Sequence, residues 1–175
     1  MLRAKARNHA NLQGQRHNKS GAALHTFACH GYTDHADPSN SGLVFQRYED
    51  CEQPEQDIMT VRDISEANLE HARIAYLSAC STAENRVAQL ADEVLHVVSG
   101  FQVAGFGHVI GCLWPSVDRV CVEVARGFYS SLFHQGGIRG DNRDVAIALH
   151  EGVKRVWVSD LKQPLNWAQF LHYGA

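Results

Sequence analysis

Three short apolar runs constrain the fold of this 175-residue chain more than any other feature of its sequence. They lie at residues 24–29, 73–79 and 108–113, and the second run, RIAYLSA, shows no alternation of apolar and polar residues. A run of that kind is typical of a strand whose two faces are both covered by helices, as in a parallel sheet. The sequence predicts two further strands, over residues 42–48 and 166–173.

Helical periodicity fills most of the sequence between these strands. Apolar residues recur at helical spacing in three stretches, at residues 87–101, 117–128 and 145–156. Either Asp141 or Asn142 could cap the third helix. A shorter helix is predicted over residues 61–68, with Thr60 as its cap because Asp63 follows three positions later. Strands that alternate with helices indicate an α/β domain with a mostly parallel sheet flanked by helices.

Polar segments set the predicted limits of the domain. Residues 1–22 are rich in Asn, Gln, Lys and Gly, so we predict a poorly ordered amino-terminal segment ahead of one domain at residues 23–175. Residues 33–41 and 49–56 are predicted loops, because the first is rich in Asp, Pro and Ser and the second is acidic. With 45% hydrophobic and 20% charged residues, the chain has the composition of a globular domain.

Charge and cysteine content narrow the classes of partner and the compartment. The formal net charge of -3 argues against nucleic acid as a partner, since such proteins usually carry a basic excess. No apolar stretch reaches the roughly 18 residues that a membrane helix needs, so we expect no membrane partner. The cysteines number five, which is odd, and no export signal accompanies them. These features indicate a reduced compartment, and we predict a cytoplasmic protein.

Two of the predicted strands are followed by side chains capable of nucleophilic catalysis. His30 and Gly31 follow the first apolar run, and Cys80 follows the second. In open α/β sheets the chemistry lies beyond the carboxyl ends of the strands, so neighbouring parallel strands would bring these groups together. A thiol with a pKa of ~8.5 needs a base such as imidazole at neutral pH, and the Gly31 N–H could bind an oxyanion.

Other reactive residues have simpler explanations. Cys29 is predicted on the strand face opposite His30, which also disfavours a zinc site built from Cys29, His30 and His35. We therefore expect no metal and no cofactor. Asp34 and Ser78 lie near the predicted crevice and could line a substrate pocket, although solvation and backbone capping explain them almost as well. The remaining histidines, including His108 and His172, show no ligand spacing, and chance placement explains them.

Four motifs, taken in order, resemble one known family. They read HTFACHGYTDHADPSNSGLVF, IAYLSACSTAENR, ADEVLHVVSGFQVAGFGHVIGCLWPSVD and WAQFLHYG, and they cover about residues 24–174. They are similar to the CHAT domain, a family related to caspases and separases that often follows tetratricopeptide repeats, and they look especially like its fungal members. The resemblance implies a caspase-like sheet, with His30 as the catalytic histidine and Cys80 as the catalytic cysteine.

One departure from the family pattern leaves two functions open. A complete caspase-like domain has one or two strands and a helix before the histidine-bearing strand, whereas here only the polar residues 1–22 precede it. We therefore expect a sheet that lacks its amino-terminal strands.

The first hypothesis is a cysteine endopeptidase that cleaves a protein or peptide substrate, as the effector domain of a larger protein with a tetratricopeptide-repeat or sensor region. The alternative is a catalytically inactive interaction module or a truncated fragment. A flavodoxin-like enzyme is disfavoured, because no glycine-rich phosphate loop follows the first strand.

Overall fold

The computed structural model describes residues 23–32, 34, 36–47, 55–78, 91–114, 117–135, 137, 141–159 and 161–174. The predicted poorly ordered segment at residues 1–22 lies outside this part of the chain, as does Cys80. The strands are β1 (Ala23–Phe27), β2 (His30–Tyr32), β3 (Gly42–Arg47), β4 (Glu55–Thr60), β5 (Ala72–Leu77), β6 (His108–Cys112) and β7 (Phe170–Gly174). The helices are α1 (Val61–Ser65), α2 (Ala91–Val103), α3 (Asp118–His134), α4 (Asn142–Ser159) and α5 (Pro164–Trp167), with a 3-10 turn at Pro38–Asn40.

A mixed four-stranded sheet forms the centre of the domain. Its strand order is β1-β5-β6-β7, in which β1, β5 and β6 run parallel and β7 pairs with β6 in the antiparallel direction. This arrangement confirms the predicted α/β class with a mainly parallel sheet flanked by helices. Within the described residues β1 is an edge strand of this sheet. The absence of further leading strands stays a prediction.

Both faces of the sheet are covered, which explains why its strands read as apolar runs. On one face, α2 and the segment from β3 to α1 pack into a first core that includes Leu43, Phe101 and Val109. On the other face, α3 and α4 form a second core around Tyr76 and Phe128, two of the largest fully buried side chains. Alternate residues of β5 and β6 face the two cores, so each strand contributes to both.

Close contact between α3 and α4 depends on two glycines. A Cβ atom at Gly127 would lie 2.6 Å from the Cα atom of Gly152, and a Cβ at Gly152 would lie 2.6 Å from the carbonyl oxygen of Val124. Any side chain at either position would therefore push the helices apart. The two helices cover the second core as one layer, and they fix the end of α4 from which the chain continues to β7.

The structure corrects three sequence predictions of local structure. Residues 55 and 56, predicted as the end of an acidic loop, begin β4, so β2, β3 and β4 form a separate antiparallel sheet that was not expected. The closing strand predicted over residues 166–173 is the short helix α5 followed by β7. The first strand ends at Phe27 rather than at residue 29. By contrast, α1 begins as predicted, because Thr60 and Asp63 form a reciprocal capping box.

Within the part of the chain that the structure describes, no helix has the length and apolar character needed to cross a bilayer.

Candidate active site

The strands that lead to His30 and Cys80 are direct neighbours in the central sheet. β1 and β5 pair in parallel with Phe27 opposite Leu77, so both strands end at the same level. The Ser78 amide donates a hydrogen bond to the Phe27 carbonyl oxygen at 2.9 Å, which extends the pairing one residue further. We call the end of the sheet at which β1, β5 and β6 finish the carboxyl end, and the opposite one the amino end.

His30 reaches the carboxyl end in a different way from the one predicted. A bend at Ala28 and Cys29 ends β1, and His30 begins β2, where it lies opposite Val44 of β3. His30 is therefore not the last residue of a central strand, and its side chain is exposed. The prediction that Cys29 and His30 alternate on one strand is wrong for the same reason, since Cys29 lies in the bend and His30 begins another strand.

Cys80 lies outside the described residues, so its distance from the His30 ring stays a prediction. The position of its strand is nevertheless informative. Cys80 is the third residue after the end of β5, as His30 is the third residue after the end of β1. Because the last residues of the two strands are paired, the segments that lead to His30 and Cys80 begin at neighbouring positions on the same end of the sheet.

The hairpin that holds His30 is packed closely against β4. Gly31 lies opposite Leu43, which is fully buried, while Tyr32 lies opposite Gly42. A Cβ atom at Gly42 would collide with the backbone of Met59, so only glycine fits at this crossing. The hairpin thus fixes the backbone at Gly31, whose proposed role as an oxyanion donor stays a prediction.

Asp34 and Ser78, the predicted pocket residues, both have structural contacts. The Asp34 carboxylate accepts hydrogen bonds from the amides of Ala36 at 2.9 Å and Asp37 at 3.1 Å, and its own amide donates to the Ser41 hydroxyl at 2.8 Å. Ser78 is half-buried and pairs with Phe27 through its backbone. Backbone capping is therefore observed for Asp34, and a substrate contact at either residue stays a prediction.

The loop after His30 is held by a polar network at the surface. The Asp37 carboxylate accepts hydrogen bonds from the amide and hydroxyl of Ser39, and these bonds lower the pKa of the Asp37 carboxyl. Arg62 of α1 donates to the Ser39 hydroxyl at 2.7 Å and to Asp37 at 3.3 Å. This network connects the loop to the amino-terminal turn of α1, beside the hairpin that carries His30.

Comparison with known families decides the identity of the domain. The family model described as the CHAT domain matches residues 2–175, which is nearly the whole chain. The chain belongs to the CHAT-domain family. No curated protein matches the chain. CHAT domains form a caspase-like family related to peptidases, so the match supports a peptidase-type role. A fungal origin stays a prediction.

Cys29 is the described thiol nearest in sequence to His30 of this CHAT domain, and it is poorly suited to be a nucleophile. It packs against the first core, and burial raises the pKa of its thiol to about 11. At neutral pH it is therefore protonated, and attack requires the thiolate. Cys112 and Cys121 are buried in the second core, and Cys51 lies outside the described residues.

Sequence reasoning missed one contact between two titratable side chains in the CHAT domain. His108 and His172, which we explained by chance placement, lie at the amino end of the sheet with His108 Nδ1 2.9 Å from His172 Nε2. Their residue numbers differ by 64, so the sequence carries no spacing signal for this pair. Only the antiparallel register of β6 and β7, with Ile110 opposite His172, brings them together.

Proposed function

We propose that this CHAT domain is a cysteine endopeptidase that uses Cys80 as its nucleophile and His30 as its general base. The observation that carries the proposal is the register of β1 and β5, in which Phe27 pairs with Leu77. That register starts the segments leading to His30 and Cys80 from the same end of the sheet. The family match adds the expectation of a peptidase-type reaction.

The proposed reaction proceeds through an acyl-enzyme. The His30 imidazole takes the proton from the Cys80 thiol, and the thiolate attacks the scissile carbonyl carbon. The backbone N–H groups of Gly31 and Cys80 bind the resulting oxyanion. The protonated His30 then donates its proton to the leaving amine, and a thioester to Cys80 remains. Water, deprotonated by His30, hydrolyses the thioester, which releases the carboxylic acid and restores the thiol.

A protein or peptide is the proposed substrate, because an extended chain can approach this part of the surface. His30 is exposed, Gly31 carries no side chain, and Tyr32 is 42% exposed. In this proposal Ser78 and Asp34 line the pocket for the residue before the scissile bond. Asp34 would act mainly by shaping the loop, since its Oδ1 atom already accepts two backbone hydrogen bonds.

We further propose that the domain is the effector part of a larger, regulated protein in the cytoplasm. Its partners would be the substrate and a tetratricopeptide-repeat or sensor region in the same parent chain. The proposed chemistry needs only a thiol, an imidazole, backbone amides and water, and therefore no cofactor.

Labelling with a peptide that carries an electrophilic ketone tests the proposed function directly. The parent chain should be labelled at Cys80 at pH 7, as located by mass spectrometry of the digested product. Cys80→Ala should remove the labelling, and His30→Ala should reduce it strongly. Cys29→Ala is the matched control, because a buried thiol with a raised pKa should contribute no label.

Two results would contradict the endopeptidase proposal. One is labelling that persists in Cys80→Ala, and the other is equal labelling of the parent and His30→Ala at neutral pH. Either result would favour a CHAT domain that acts as a catalytically inactive interaction module.

A further inference from the structure

A hydrogen-bonded chain of side chains lies at the amino end of the sheet, away from the candidate active site. His108 is the first residue of β6 and only 2% exposed. Its Nδ1 atom lies 2.9 Å from His172 Nε2, and its Nε2 atom lies 3.1 Å from Asn142 Oδ1. The two imidazole rings stack with centroids 5.1 Å apart and planes at 24°. We call these three residues the histidine latch.

The partners of His108 determine where the protons lie. Asn142 Oδ1 also accepts a hydrogen bond from Arg73 at 3.4 Å, so this atom is an acceptor and His108 Nε2 must carry the hydrogen. In neutral His108 the other nitrogen, Nδ1, is then an acceptor, and His172 Nε2 must donate to it. Each proton in the latch thus has one defined place.

A proton added to His108 disturbs this arrangement. The new hydrogen would lie on Nδ1, so His172 would have to move its own hydrogen away from Nε2 to keep the bond. Once both rings are protonated, two donors would meet across 2.9 Å. The two rings occupy the space that a side chain at residue 174 would need, since a Cβ atom at Gly174 would lie 2.6 Å from His108 Nδ1 and 3.0 Å from His172 Nε2.

The charged groups around the latch also disfavour a second positive charge. On β5 the Arg73 guanidinium lowers the pKa of His108, and on β7 the pKa of His172 is in turn lowered by His108. On α4 Asn142 is neutral, while Asp141 and Asp144 accept hydrogen bonds from backbone amides at the start of that helix. On α3, which packs on the same face of the sheet, His134 is exposed, and the described side chains of α2 carry no charge.

The pKa values of both rings are shifted in the direction that these contacts require. Burial lowers the pKa of His108, the hydrogen bond to Asn142 partly opposes this effect, and Arg73 lowers the pKa further. Burial also lowers the pKa of His172, and the neighbouring His108 adds to the effect. Both rings are therefore neutral at pH 7, which is the state that the hydrogen bonds need.

We propose that the histidine latch is an acid-sensitive device that holds β7 on the sheet and releases it as the two rings are protonated. β7 is the last strand of the sheet, and it is held by its ladder to β6 and by the bond from the Leu113 amide to the Gln169 carbonyl oxygen. Loss of β7 would leave β6 as the edge strand, next to the strand that leads to Cys80. The latch would thus connect the acidity of the surroundings to the candidate active site.

Hydrogen exchange of the full chain, measured by mass spectrometry, tests this proposal. After correction for the intrinsic exchange rate, the amides of β7 should exchange roughly ten- to a hundredfold faster for each pH unit of acidification below about pH 6, since opening takes up one or two protons. The amides of β5 should stay protected over the same range. The double variant His108→Gln/His172→Gln keeps amide donors and acceptors at both places and should lose the acid response of β7.

A matched control replaces two exposed histidines on the same helical layer. His134→Gln/His150→Gln should keep the acid response of the parent, because both side chains are exposed. The proposal is overturned if β7 exchange in the parent does not depend on pH, or if the latch variant responds to acid like the parent. Should the latch variant not fold, the NMR titration of the two rings in the parent decides. Release of β7 must follow their protonation, and a ring that titrates without faster β7 exchange also overturns the proposal.

Discussion

Histidines lie at both ends of the central sheet, and their surroundings differ in almost every respect. At the carboxyl end, His30 is exposed on a three-residue strand beside loops held by surface hydrogen bonds. At the amino end, His108 is buried, and both of its ring nitrogens have partners within 3.1 Å. The same side chain is therefore exposed at one end and held by two hydrogen bonds in the interior at the other.

The difference shows that access to solvent, rather than residue type, decides what an imidazole can do. A general base must gain and lose a proton in each turnover. Its ring nitrogen must therefore be accessible to different proton donors and acceptors in successive steps. A buried imidazole with two fixed partners pays a desolvation cost for every added proton, so it is suited to structure and to sensing acid.

Removing the thiol at the carboxyl end should have the largest effect. For Cys80→Ala we expect the rate of peptide hydrolysis to fall on the order of 10⁴-fold or more, because the residual rate then depends on binding and the oxyanion contact alone. The circular dichroism spectrum and Tm should change little. Cleavage assays with a peptide library measure the first quantity. If Cys80→Ala still hydrolyses the peptides, the carboxyl end of the sheet is not the catalytic site.

Removing the base should have a smaller effect, and one that depends on pH. For His30→Ala we expect a loss of roughly 10²- to 10⁴-fold near pH 7, which should shrink at high pH, where the thiolate forms unaided. The alkylation rate of Cys80 plotted against pH should have its midpoint well below 8.5 in the parent and near ~8.5 in the variant. His150→Ala, which changes an exposed histidine on α4, should keep the parent profile. Two identical profiles for the parent and His30→Ala would contradict the assigned role of His30.

Adding a side chain at Gly42 in the hairpin that carries His30 should lower the stability of the domain. Gly42→Ala places a Cβ against the backbone of Met59, so we expect the free energy of unfolding to fall by about 1–3 kcal/mol and peptide labelling to weaken. Gly107→Ala is the matched control, because the nearest atom to its added Cβ is 3.8 Å away, an ordinary contact. Urea titration measures both variants. Equal stability of the two would mean that the close contact at Gly42 does not position the hairpin.

The sequence was sufficient for the central sheet because its elements have clear local patterns. The strand at residues 73–79 is indicated by an unbroken apolar run, and α3 and α4 are indicated by apolar residues at helical spacing. The start of α1 is indicated by the pair Thr60 and Asp63. The position of the candidate site followed from one topological rule, that parallel strands present their carboxyl ends together.

The remaining features depend on contacts that no local pattern carries. β4 begins with the polar residues Glu55 and Gln56, and its pairing with β3 is what makes it a strand. The bend at Ala28 that moves His30 to a second sheet has no local signal, since the apolar run continues through Cys29. The contact between His108 and His172 exists only once β6 and β7 are in register.

Acid should weaken the amino end before it affects the carboxyl end. The pKa values of His108 and His172 are lowered on folding, so the unfolded chain binds more protons than the folded one below about pH 6.5. The stability that the two neutral rings contribute is present above that pH and is lost as the pH falls towards their folded pKa values. Each proton bound only on unfolding lowers the free energy of unfolding by ~1.4 kcal/mol per pH unit. Urea titrations between pH 5 and pH 8 measure this slope. A free energy of unfolding that does not change from pH 7.5 to pH 5.5 would contradict the buried, neutral state of the pair.

Breaking the surface network at the carboxyl end should have the smallest effect on stability. Arg62 and Asp37 have 54% and 47% of their side-chain surface exposed, and exposed ion pairs contribute little because solvent and salt screen them. For Arg62→Gln we therefore expect Tm to change by less than ~3 °C, and the difference should shrink further in high salt. Lys154→Gln, which removes the exposed pair with Glu151 on α4, provides a control of similar exposure. A much larger drop for Arg62→Gln would show that the loop beside His30 is held by this one contact. The carboxyl end would then be as dependent on a fixed polar network as the amino end, and the contrast between the two ends would rest on burial alone.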